Sequence, residues 1–104
     1  MRLTRCAIAM LAALPAAGPT AGQQGGGPVA RSLAATCANC HGTNGVPVDD
    51  MAGLAGRPKD DIVRRMQDFK AGRLAGTVMP QLAKGYTDAE IELLAGWFAA
   101  QRAK

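Results

Sequence analysis

The sequence predicts an all-α domain of three main helices separated by two long loops. Apolar residues recur three and four positions apart in three separate segments, glycine- and proline-rich runs divide those segments, and no stretch alternates apolar and polar residues as a strand would. No internal repeat is visible, and 104 residues leave room for one domain.

The chain opens on "MRLTR", followed from Cys6 to Ala17 by an almost wholly apolar run of small residues and then by "GPTAG". A basic start, an apolar run too short to span a bilayer and a small-residue cleavage region are the layout of a secretory signal peptide, read here as residues 1–22. Pro15 and Pro19 interrupt the pattern that a membrane anchor or a core helix would need. Cys6 does not suit lipid attachment, because it follows Arg5 and precedes the apolar run. The predicted destination is the periplasm, with no membrane association after cleavage. Residues 23–28 read as a flexible lead-in and 29–104 as the folded domain.

The first helical signal runs from Val29 to Cys40, with Val29, Leu33, Ala34 and Cys37 on one face. Residues 42–57, "GTNGVPVDDMAGLAGR", read as a loop long enough to wrap another group. The second helix is signalled by Pro58 at its first position, Asp60 and Asp61 near the positive end of its dipole, and Gly72 at its stop. Ile62, Met66 and Phe69 form its apolar stripe, with Val63 beside them. The pairs Asp60 and Arg64, Asp61 and Arg65, and Arg64 and Asp68 suit a solvated face. After a second loop, "GRLAGTVMPQLAKGY", the capping box "TDAE" at Thr87–Glu90 starts the third helix, in which Ile91, Leu94, Ala95 and Phe98 point one way, with Leu93 and Trp97 alongside.

Charge excludes one class of partner. Without Arg2 and Arg5 the domain keeps ten basic against eight acidic residues, near +2. The signs are mixed and the aromatics few, so nucleic-acid binding has no support. An exported domain of about eighty residues is also small for a self-sufficient core, and a disulfide between Cys37 and Cys40 would close too short a loop to help much. Another group is expected to fill the interior.

That group is named by "CANCH", Cys37 to His41, the Cys-x-x-Cys-His pattern of c-type haem attachment. Residues three apart share a helix face, so the Cys37 and Cys40 thiols can both form thioethers with one porphyrin, and His41 can offer a ring nitrogen to its iron. A thioredoxin-like dithiol would want a preceding strand and an α/β setting. A zinc site would want a fourth ligand, and His41 is the only histidine. An inert thiol pair beside a core histidine would leave the export signal and the unfilled interior unexplained.

For the sixth iron position, Met66 lies on a core stripe and Met51 follows His41 by only ten residues. Met79 sits in the later loop, where Pro80 biases it to extended backbone and presents its side chain. His41 and Met79 are therefore the expected axial ligands, leaving no open coordination site and favouring electron transfer over ligand activation. A haem enzyme or sensor with an open distal site is the alternative, and no acid or base stands out near the motif to serve it. Arg57, Lys84 and Tyr86 are candidates for the haem propionates. Pro47 is the candidate to supply the carbonyl that orients His41.

"CANCHG", "GLAGRP", "DDIVRRMQDFKAGR", "MP" and "YTDAEIELLAGWFAAQ" together resemble a class I monohaem cytochrome c of the small bacterial type, over residues 29–102. The resemblance implies the cytochrome c fold, with loops wrapped around a single covalently bound haem c and the terminal helices crossing near Trp97. "TVMPQLAKGYTDAEIELLAGWF" is similar to the haem subunit of flavocytochrome c sulfide dehydrogenase, implying redox partners that include a flavoprotein dehydrogenase, although the same segment would equally suit a freely diffusing carrier. The chain is read as an electron-transfer protein and not an enzyme by itself; its donor, acceptor and oligomeric state are left open. With no single-sign patch, the rate of electron exchange with the native partner should change only modestly between low and moderate ionic strength. Stopped-flow measurement over that range checks this, and a collapse in rate would contradict the charge reading.

Overall fold

The structure, a computed structural model, describes residues 26–103. The segment read as a signal peptide, Cys6 and the first residues of the lead-in lie outside that range. Among the described residues there are five α-helices and one short 3-10 turn, in the order α1 (Gly27–Ala35), α2 (Ala38–His41), the turn Thr43–Gly45, α3 (Lys59–Lys70), α4 (Met79–Ala83) and α5 (Asp88–Ala99). No strand occurs among them. No described helix is long and apolar enough to cross a membrane.

The three main helices are α1, α3 and α5, and α5 packs against both of the others. Its start follows from the capping box: the Thr87 hydroxyl accepts from the Glu90 N–H at 3.1 Å, and the Glu90 carboxylate accepts from the Thr87 N–H at 3.0 Å. That backbone hydrogen bond, with the Thr87 side chain, holds the Glu90 carboxyl below its ordinary range. Ile91, Leu94, Ala95 and Phe98 are buried, as their spacing predicts, and join Ala34, Ile62, Met66 and Ala83 in one core. Each large apolar side chain so buried contributes about 1.5–3 kcal/mol of transfer free energy. Met66 is thus a core residue. Trp97 is half-buried at the crossing of α1 and α5, beside Gly27, Pro28, Arg31 and Ala35.

Several local expectations are corrected. The first helix does not run unbroken from Val29 to Cys40. It starts at Gly27, because Pro28 suits a first helical turn, and it stops at Ala35. The Thr36 hydroxyl bonds back to the Leu33 carbonyl at 2.8 Å, and the cysteine motif occupies its own turn, α2. Pro58 is the cap of α3 rather than its first helical residue; its extended ψ of 133° puts it outside the helix. Gly72 does end α3: at φ 75° its N–H donates to Phe69 O and the Arg73 N–H donates to Asp68 O, a left-handed closure that glycine adopts without strain.

The surface pairs of α3 differ from the spacing rule. Asp61 alone gathers Arg57 and Arg65, each at 3.3 Å, together with Arg64, while Asp68 pairs with Arg73 at 2.9 Å. The pairs expected for Asp60 with Arg64 and for Arg64 with Asp68 are replaced because Asp61 is the half-buried carboxylate around which the arginines converge. Partial burial alone would raise its carboxyl, but Arg65, Arg64 and Arg57 outweigh this and hold it below the usual range.

The second loop is also less irregular than expected, since Met79–Ala83 forms α4. Met79 is the first residue of that helix, not extended chain. Pro80 is compatible because a first helical turn needs no proline N–H. Replacing Thr87 with Ala removes one half of the capping box and should destabilise the domain by about 1 kcal/mol, roughly 4–8 °C in melting temperature, as read by thermal unfolding of the holoprotein.

Candidate functional site

Cys37, Cys40 and His41 share one turn of chain. Cys37 caps α2, and the N–H groups of Cys40 and His41 donate to its carbonyl at 3.3 and 2.9 Å. That helical geometry puts the two thiols on one side. Cys37 is half-buried against the core, and Cys40 is exposed. Burial pushes the Cys37 thiol up, the Thr36 hydroxyl opposes this, and the nearby Cys40 adds to it. Burial thus works against a low-pKa thiolate of the kind a redox dithiol uses.

His41 is oriented by a carbonyl, but not by the expected Pro47. Its Nδ1–H donates to Ala52 O at 2.7 Å. That hydrogen bond fixes the tautomer and leaves Nε2 with a lone pair for a metal. Ala52 reaches this place because the loop folds back on itself. Gly45 O accepts from the N–H groups of Leu54 and Ala55 at 2.9 and 3.1 Å, and the Gly56 N–H donates to Phe98 O at 2.9 Å, tying the loop to the end of α5. Arg57 donates from Nε to Gly53 O at 2.7 Å, next to the Ala52 peptide. The guanidinium named as a propionate candidate is thus shared between Gly53 and Asp61. Pro47 lies instead where the loop leaves Gly42, whose φ of 79° lets the chain turn sharply; a Cβ there would lie 1.9 Å from Val46 O and 2.7 Å from Pro47 Cα.

Met79 is half-buried and packs against the same core as Cys37. Tyr86, another of the three propionate candidates, donates its hydroxyl to Thr36 Oγ1 at 2.6 Å. Its carbonyl accepts from Lys70 Nζ at 2.7 Å, and Lys70 also pairs with Asp88 at 3.1 Å. Lys84 is exposed. Sequence reasoning missed Thr36, Ala52 and Lys70; only the threonine directly before the motif offered a signal by position.

The donor set suits a covalently bound porphyrin: two free thiols on one helical turn, an adjacent imidazole with Nε2 left over, and a thioether sulfur on the core. The surroundings agree, since the two loops carry Val48, Met51, Val78 and Leu82 as large exposed apolar side chains. Among the described residues no group of three or more His, Cys, Asp or Glu side chains is placed to hold a metal ion.

No protein-family model matches the sequence. The cytochrome subunit of sulfide dehydrogenase from Chlorobaculum tepidum is 38% identical over 87 residues, which cover 84% of this chain and 74% of that protein. The chain belongs to the class I cytochromes c. Cytochrome c4 of Pseudomonas aeruginosa is 30% identical over 73 residues, 69% of this chain and 36% of its own length. A solved cytochrome c4 of Acidithiobacillus ferrooxidans superposes with a TM-score of 0.62 and 25% identity, covering 70% of this chain and 50% of that one. This cytochrome therefore spans a third to a half of the cytochromes c4 it matches and most of the sulfide dehydrogenase subunit.

Its fold is the all-α cytochrome c fold, its cofactor is covalently attached haem c, and its role is electron transfer rather than catalysis by itself. Haem c supplies a one-electron iron couple when bound. Gly42→Ala would force a Cβ into the Val46 carbonyl at positive φ. A loss of at least about 2 kcal/mol is expected in guanidinium unfolding of the holoprotein.

Proposed function

We propose that this cytochrome is an exported monohaem electron acceptor, held by thioethers at Cys37 and Cys40 and ligated by His41 Nε2 and Met79 Sδ. The observation that carries the reading is the His41 Nδ1–H bond to Ala52 O at 2.7 Å, which commits one ring nitrogen and frees the other for iron beside both thiols. Met79 is favoured for the second axial place by its partial exposure on the core surface, in contrast to buried Met66. Histidine with methionine raises the potential and closes both axial positions, as an electron carrier requires. The basic leader and its apolar run, residues 1–22, support export to the periplasm, with a short lead-in before the haem domain, whose first helix starts at Gly27.

The likeness to the cytochrome subunit of sulfide dehydrogenase spans 74% of that protein. It supports a place as the electron-accepting subunit of a flavoprotein dehydrogenase of that kind. Purification from the native source separates this from a free shuttle: a stoichiometric flavoprotein should accompany the cytochrome, and a chain that elutes alone without flavin would favour the shuttle.

Two variants test the site. Intact-mass analysis of Cys37→Ala/Cys40→Ala, matured in the periplasm, should show no covalent haem, where the native protein gains the mass of one. Met79→Ala should stay haem-loaded but bind carbon monoxide in the ferrous state, with a lower midpoint potential. Unchanged spectra and potential would exclude Met79 as a ligand.

A further inference from the structure

We propose that the Tyr86 hydroxyl and Thr36 form a latch that holds the Met79 segment to the haem-attachment turn and sets how readily the sixth iron position opens to an external ligand. The inference rests on the reading of Met79 as axial ligand. It starts from a hydrogen bond between residues fifty positions apart, Tyr86 Oη to Thr36 Oγ1 at 2.6 Å.

The direction of that bond is settled locally. The Thr36 hydroxyl donates to Leu33 O at 2.8 Å, so its oxygen accepts, and the Tyr86 O–H donates to it. The two bonds run in series from the tyrosine to the end of α1, an arrangement in which each polarises the other. Thr36 directly precedes Cys37, whose N–H donates to Ala34 O at 3.0 Å, so the accepting end is built into the backbone that presents the first thiol.

The donating end is joined to Met79. The Gly85 N–H donates to Leu82 O at 3.0 Å and the Tyr86 N–H to Ala83 O at 3.3 Å, a turn that follows directly on α4, and Ala83 is fully buried. Short-range hydrogen bonds thus link Met79 to Tyr86 along the chain. The chain leading into that segment is weakly held: from Ala71 to Val78 only Leu74 is not exposed. Restraint comes from α4, which packs against α3, and from the Tyr86 side. Lys70 grips the Tyr86 carbonyl there, but a backbone carbonyl survives replacement of the side chain, so the phenol oxygen can be removed alone. The Tyr86 ring, packed on the core, would remain as phenylalanine.

The test uses imidazole as the incoming ligand and the ferric holoprotein in four forms: native, Tyr86→Phe, Thr36→Val and the double variant. If Met79 must leave before imidazole binds, the observed rate saturates with imidazole concentration at the opening rate of the iron–sulfur bond. Each single variant should raise that plateau roughly fivefold, the factor expected for losing one net hydrogen bond, and the double variant should go no further than either single. Native plateaus in both single variants, or effects that multiply in the double, would overturn the latch while leaving Met79 in place. Binding linear in imidazole for the native protein and unchanged in Met79→Ala would remove Met79 as ligand, and the latch with it.

Discussion

A neutral imidazole gives one N–H and one lone pair, and it can serve a metal dependably only if something else takes the N–H. The Ala52 carbonyl takes the N–H of His41, and much of the first loop is organised to put it there. The chain turns at Gly42, where a side chain has no space; it is drawn back by the two amides on Gly45 O and is fastened to α5 at Phe98. The loop thus has the standing of a third wall, although it contains only one short helical turn. Arg57 and Asp61 extend the same arrangement to α3, so that the helix bearing the apolar stripe also steadies the peptide next to the His41 acceptor.

The helices do a different job. They bury a compact apolar cluster, centred on Ile91, Leu94 and Phe98, that places Cys37 on one part of its surface and Met79 on another. Neither residue is deeply buried, and both are available at the edge of the core for a bound group. Large apolar side chains left exposed on the two loops fit the same division of labour, in which protein packing supplies a frame and the haem completes the interior.

Lys70 and Tyr86 show how the second loop is brought into register. One lysine links the last turn of α3 to the Tyr86 carbonyl and to Asp88 at the start of α5, while Gln67 reaches the same aspartate at 3.0 Å. Those hydrogen bonds, first from Gln67 and then from Lys70, hold the Asp88 carboxyl below its ordinary range. The corner between α4 and α5 is therefore tied to α3 by charge-assisted contacts at the surface, and to the cysteine turn by the tyrosine hydroxyl.

How much of this could be read from the chain depends on the range of the interaction concerned. The Thr87–Glu90 cap, the buried positions of α5, the Ile62 and Met66 stripe and the glycine stop at Gly72 are set by neighbours within one or two turns, and the residue order alone specified them. The turn that carries Cys37, Cys40 and His41 is likewise local. Local preference was outvoted at α4, where Pro80 suits a helix start as well as it suits extended chain, and at Thr36, whose hydroxyl ends α1 early. The carbonyl that meets His41, the tyrosine that meets Thr36 and the arginines that meet Asp61 were decided by tertiary structure. Loop closure chooses among several carbonyls and several arginines that look equivalent in one dimension, and only the folded backbone breaks that equivalence.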